Sequence, residues 1–98
     1  MNFEKTADGT KLTISPEGRL DMLTAPELDR ELPELLSGVS ELTFDFRDLE
    51  YVSSAGLRVL LSAQETMSEQ GSMVVKNVSD QIMEIFEVTG FTDILTIE

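Results

Sequence analysis

The chain has 98 residues, 41 % of them apolar, with 19 acidic against 7 basic residues and a formal charge of −12. That is apolar material for one globular core across residues 1–98, unlike a disordered chain, and no apolar run approaches the roughly 18 residues needed to cross a membrane. The absence of Cys and His excludes disulfides, thiolate nucleophiles, zinc ribbons and Ser-His hydrolysis, and removes the commonest general base and metal ligand.

The seven cations (Lys5, Lys11, Arg19, Arg30, Arg47, Arg58 and Lys76) are scattered. Nucleic acid and anionic membrane both call for clustered Lys and Arg, so neither is an expected partner. The acid excess reads either as a well-solvated surface or as a match for a partner with a basic face. Met1 to Lys5 lacks the basic patch and greasy stretch of a secretory signal, which points to the cytoplasm.

Phe3 to Thr6 and Lys11 to Ser15 read as strands around an Asp8-Gly9 turn with both turn residues at positive φ, closed by Pro16 and Gly18. Thr24-Ala25-Pro26-Glu27 fits a capping box opening a first helix. Its apolar stripe is Leu28, Leu32, Leu35, Leu36 and Val39; Pro33 should bend or tighten it, and Gly38 should end it. Leu42, Phe44 and Phe46 alternate as a third strand, and Arg47 to Tyr51 is expected to be a short connection.

A second helix is expected from about Ser54 to Gln70, with Leu57, Leu60, Leu61, Gln64 and Met67 on one face and Gly71 as its stop. Met73-Val74-Val75 is a short, fully buried strand. Ser79 caps a third helix carrying Ile82, Met83, Ile85 and Phe86 and ended by Gly90, and Ile94 to Ile97 supplies a last strand. The order β-β-α-β-α-β-α-β predicts an α/β fold: a mixed, mostly parallel sheet with an N-terminal β-hairpin and about three main helices packed on it.

The six glycines are isolated, so neither a phosphate-cradling P-loop nor a dinucleotide fingerprint is present, and no cofactor or metal is expected. A phospho-receiver needs an acidic pair at a strand end, which Thr6-Ala7-Asp8 does not supply. Asp45 and Asp48 lack the aromatic platforms of a sugar cleft and read as solvated carboxylates. No catalytic residue is assigned, and the chain reads as a non-enzyme.

The informative stretch is Tyr51-Val52-Ser53-Ser54-Ala55-Gly56-Leu57. Two serines stand where a loop becomes a helix, the position at which Ser commonly caps. Ser53, Ser54, Ala55 and Gly56 are also small enough to leave that helix mouth open. A helix start offers free N–H groups and partial positive charge, so a phosphoserine there adds negative charge without melting the helix.

The run from Leu42 through Asp48-Leu49-Glu50-Tyr51-Val52-Ser53-Ser54-Ala55-Gly56-Leu57 to Leu61 resembles the signature of STAS domains. More narrowly, it is similar to the anti-sigma factor antagonists of bacterial partner-switching pathways. Gly18-Arg19-Leu20-Asp21 and Thr24-Ala25-Pro26-Glu27-Leu28 resemble that family's glycine turn and first helix, and the likeness covers essentially the whole chain as a single STAS domain.

The family's switch serine follows an Asp and precedes a hydroxyl residue, Gly and Leu. On this chain it falls on Ser54, with Ser53 in place of the Asp, Ala55 in place of the second hydroxyl, and Gly56 and Leu57 matching. The resemblance implies that the unphosphorylated protein binds an anti-sigma factor that is also an ATP-dependent serine kinase, and so frees its client. Phosphorylation of Ser54 ends the complex, and a metal-dependent serine phosphatase restores it.

Partner contact is expected at Asp21, Ser53, Ser54, Gly56, Leu57 and Arg58. Arg58, one turn beyond Ser54, would pair with the phosphate, meet a partner carboxylate, or stay an ordinary exposed Arg. Asp21 approaches the helix mouth or simply stabilises its turn. A STAS scaffold subunit of a stress-sensing or membrane-transport complex and an unrelated small ligand binder are the alternatives.

Overall fold

A computed structural model describes residues 2–98. In chain order it contains β1 (Phe3–Asp8), β2 (Lys11–Pro16), β3 (Gly18–Leu20), α1 (Ala25–Leu35), β4 (Glu41–Asp45), β5 (Leu49–Val52), α2 (Ser54–Gln70), β6 (Ser72–Lys76), α3 (Asp80–Thr89) and a 3₁₀ turn, Phe91–Asp93. The main sheet runs β1-β2-β4-β6, with β1 antiparallel to β2 and the β2–β4 and β4–β6 pairs parallel. This is the mixed, mostly parallel sheet expected from strands alternating with helices.

The parallel register aligns Leu12, Leu42 and Met73 in one row and Ile14, Phe44 and Val75 in the next. All six are buried, whereas Thr13, Thr43 and Val74, one residue along each strand, are only half-buried. Period-two alternation therefore gives the sheet one core face. Into that core α1 sends Leu28 and Leu32, α2 sends Leu60, Ala63 and Met67, and α3 sends Ile82 and Phe86.

Several expectations need correction. The hairpin loop is Gly9–Thr10, because Asp8 still pairs with Lys11, and positive φ falls on Gly9 (64°) but not on Asp8. One glycine at the first loop position is the requirement of a II′ turn, so Asp8 stays extended. The stretch expected to be a connection, Arg47 to Tyr51, contains most of β5, which pairs in parallel with β3 as a separate two-stranded sheet.

After α3, Phe91–Asp93 winds into a 3₁₀ turn whose C-cap, Ile94, keeps helical backbone (φ −99°, ψ −44°), so the strand expected from Ile94 to Ile97 does not form. Ile97 makes a single parallel bridge to Val75, beside a 3.7 Å Lys76–Glu98 ion pair. Helix α1 passes through Pro33 and tightens only after its end, where Ser37 and Val39 donate to carbonyls three residues back. On α2 the buried stripe takes in Val59 and Ala63, while Leu61 and Gln64 are half-buried. That helix packs against α1, β5 and β6 together, so its apolar face is wider than one stripe.

Candidate functional site at the start of α2

The site is built by two short strands that carry little pattern of their own. Leu20 closes β3 and Val52 closes β5, and the Ser53 N–H extends their pairing by donating to the Leu20 carbonyl at 2.9 Å. Ser53 is thus held extended (φ −92°, ψ 179°) as the N-cap, and its Oγ accepts from the Gly56 N–H at 3.4 Å. A hydroxyl spent on capping is the ordinary role of Ser at this position.

Ser54 differs. It is the first residue of the 17-residue α2, it is exposed, and its hydroxyl makes no hydrogen bond within the described residues. No acidic side chain lies in the first turn of α2. The first turn of α2 therefore carries an exposed hydroxyl with no hydrogen bond among the described residues, at a helix start whose field favours added negative charge.

Gly56 and Leu57, expected among partner-contacting residues, point the other way. Gly56 is buried, and a Cβ there would meet the Leu20 carbonyl oxygen at 2.5 Å. Leu57 is a core residue. Both position the mouth of α2 rather than line its surface, because the close approach of helix to strand needs a side chain of one hydrogen at Gly56.

Asp21 sits just past β3, beside this mouth. Its Oδ1 accepts from the backbone N–H groups of Leu23 (3.0 Å) and Thr24 (3.2 Å), and its Oδ2 accepts from Arg19 Nε at 3.3 Å. The Leu23 N–H above all, with those of Thr24 and Arg19, holds the Asp21 carboxyl below its ordinary value of 3.8, against an opposing desolvation effect. Thr24 does not close the capping box: its Oγ1 accepts from the Asp21 N–H (2.9 Å) and donates to the Arg19 carbonyl (2.6 Å). Asp21 and Thr24 thus lock one turn between them, an Asx-type arrangement.

Arg19 is committed twice, to Asp21 and to the face of Tyr51 on the neighbouring strand, 4.4 Å from the ring centroid. Arg58 is exposed and without an ion pair or hydrogen bond among the described residues. It borders a groove of about 350 Å³ between the two helix starts, with Ala25, Pro26 and Asp29 of α1 and Ala55 and Ser62 of α2. The structure therefore brings Asp21, Ser53, Ser54 and Arg58 to one end of the molecule. Sequence alone did not identify the capping role of Ser53, since either serine reads equally well as the cap.

The surrounding chain has the same overall shape as proteins of known structure. A crystal structure of an anti-sigma factor antagonist from Mycobacterium paratuberculosis matches with a TM-score of 0.87 at 20 % identity, covering 98 % of this chain and 83 % of that one. SpoIIAA, an anti-sigma factor antagonist of Bacillus, matches in its unphosphorylated form with a TM-score of 0.76 at 15 % identity, covering 99 % of this chain and 87 % of that one. Its phosphorylated form matches with a TM-score of 0.76 at 16 % identity, covering 99 % and 91 %. In sequence, the anti-sigma-B factor antagonist of Bacillus subtilis strain 168 is 26 % identical over 98 residues, 99 % of this chain and 90 % of its own length. The family profile described as "Mlab, STAS domain" matches residues 2–96. On that match, which spans the sheet, the helices and the serine-bearing mouth of α2 alike, the chain belongs to the STAS domain family.

Proposed function

We propose that this protein is a cytoplasmic anti-sigma factor antagonist, acting as one STAS domain, whose binding to an anti-sigma factor/serine kinase is switched off by phosphorylation of Ser54. The observation that carries the reading is the division of labour between the two serines: Ser53 caps α2, and Ser54 beside it is exposed with a hydroxyl uncommitted among the described residues. Relatives named as anti-sigma-B factor antagonists, and a structural neighbour known in both phosphorylated and unphosphorylated forms, support it.

In the reaction, Ser54 Oγ bonds to the γ-phosphorus of ATP, the bond to the bridging oxygen of ADP breaks, and the hydroxyl proton leaves to a base of the kinase. A metal-dependent phosphatase later hydrolyses the new ester. The protein supplies only the hydroxyl and its setting, and catalyses neither step.

Phosphate adds about −1.5 to −2 charge where a partner surface would have to desolvate it. A loss of about 3–4 kcal/mol from such an unpaired interfacial charge is a factor of several hundred in affinity, enough to separate partners without refolding either.

The test is phosphorylation by a purified serine kinase of the anti-sigma factor type from the same genome, with ATP. Mass spectrometry should find one phosphate on Ser54. Ser54→Ala should block it and keep binding, and Ser54→Asp should weaken binding at least about a hundredfold. A second reading, a non-switching STAS scaffold, is favoured by Ser53 standing where the antagonist motif has Asp; a chain that binds such a kinase yet takes no phosphate would establish it.

A further inference from the structure

The turn that follows β3 spends polar groups to display apolar ones. Met22 and Leu23 are consecutive, and they are 75 % and 79 % exposed, while the apolar residues on either side, Leu20 and Ala25, are buried to 2 % or less. The fold draws nothing from these two side chains: the turn is held by the carboxylate of Asp21 and the hydroxyl of Thr24. Only the backbone N–H of Leu23 takes part. Single exposed apolar residues need no explanation, but an adjacent pair on a pinned turn forms a small apolar patch.

The place of the pair is fixed as well. Leu20, two residues before Met22, accepts the Ser53 N–H and backs directly onto Gly56. The tip thus stands at the same end of the molecule as Ser54. We infer that Met22 and Leu23 form an apolar anchor that enters a pocket on the anti-sigma factor/kinase, supplying affinity that phosphate on Ser54 then overrides; this rests on the function proposed above.

Charge selects the occupant. A second copy of this chain would bring −12 against −12 around two small tips, with the Asp21 carboxylate beside each, and self-association there is disfavoured. A partner offering an apolar pocket with a basic rim meets both the side chains and the field. Holding the turn rigid before binding removes much of the ordering cost that a flexible loop would incur. A few desolvated anchors commonly dominate an interface.

The test uses the full chain and the serine kinases of the anti-sigma factor type encoded in the same genome, each purified and titrated by calorimetry. Met22→Ser/Leu23→Ser, whose circular dichroism and urea unfolding should match wild type, is expected to bind the responding kinase about 30-fold or more weakly, in the range of anchor residues. Residual phosphorylation of Ser54 at high kinase concentration should remain. Loss of binding in Ser54→Asp together with unchanged binding in the double variant would overturn the anchor and leave the proposed function standing. Binding of wild type by none of the kinases would overturn the function and the anchor together. A wild-type dimer in sedimentation that the double variant abolishes, with kinase binding unaltered, would make the patch a contact between copies and overturn the anchor.

Discussion

Gly56 in the first turn of α2 lies against Leu20 of β3, so that a methyl group on its Cα would come 2.5 Å from the Leu20 carbonyl oxygen and 2.9 Å from Leu20 Cγ and Val52 Cγ1. That oxygen cannot swing aside, because it accepts the Ser53 N–H at 2.9 Å. Alanine normally gains about 1 kcal/mol over glycine inside a helix. Here the clash decides the sign, and Gly56→Ala should lose about 1–3 kcal/mol, the usual cost of overpacking. Urea unfolding should show a lower midpoint with an unchanged slope; an unchanged midpoint would mean that helix and strand are less tightly apposed than the structure has them.

Asp21 joins stability to pH. Its carboxyl is held below 3.8 in the folded protein, chiefly by the Leu23 N–H. A folded-state value lower than the unfolded one contributes stability that is complete above the unfolded value and lost as pH falls through the folded one. Asp21→Asn should therefore be less stable than wild type at pH 7, and the gap should close below pH 3.8. Urea midpoints of the two proteins at pH 7 and at pH 2.5–3 check this, since every other acid titrates in both. Asp21→Ala should also slow phosphorylation of Ser54, by loosening the turn beside it.

The strands of the main sheet and the cap of α3 were legible because each is written locally: alternation in Leu12-Thr13-Ile14, and Ser79 before the first turn of α3. The small sheet was not. Gly18–Leu20 and Leu49–Val52 are three and four residues long, and too few side chains alternate for a period to register; each is a strand only because the other lies beside it. The Thr24 capping box failed through competition: Asp21 offers its own N–H to the same hydroxyl, a contact outside the Thr24–Glu27 motif. At the site, the position of Ser54 was readable from the motif. Its lack of a hydrogen bond among the described residues, and the burial of Leu57, depend on how α2 docks on β3 and β5, and docking is not written in any short window.

Gln70 at the end of α2 ties two elements together. Its Nε2 donates to the carbonyl oxygens of Leu36 (2.6 Å) and Val39 (2.7 Å), in the segment that leads from α1 into β4. Gln70→Ala leaves both carbonyls to water and should lose about 1–2 kcal/mol for two neutral bonds at a partly open position. Gln70→Glu should be worse at neutral pH, because it sets a carboxylate against the same two oxygens, and should recover as that carboxylate is protonated. Thermal unfolding of both variants at pH 7 and pH 4 separates loss of a donor from added repulsion.

At the far end of the main sheet Asn77 occupies left-handed backbone (φ 57°) just after β6, and its Nδ2 donates to Asp45 Oδ1 at 2.8 Å, closing the ends of β4 and β6. That amide is the chief cause holding the Asp45 carboxyl below its ordinary 3.8, aided by the Arg47 N–H. Asn77→Gly keeps the backbone conformation and removes the donor, whereas Asn77→Ala removes the donor and adds about 1 kcal/mol or more of left-handed strain. Stability at pH 7 should therefore fall in the order wild type, Asn77→Gly, Asn77→Ala. In Asn77→Gly the Asp45 carboxyl should titrate nearer its ordinary value, read by carbon-13 NMR across the acid range. An Asp45 titration unmoved by Asn77→Gly would show that the Arg47 N–H and the nearby positive charges of Arg47 and Lys76, not the asparagine amide, hold that carboxylate ionised.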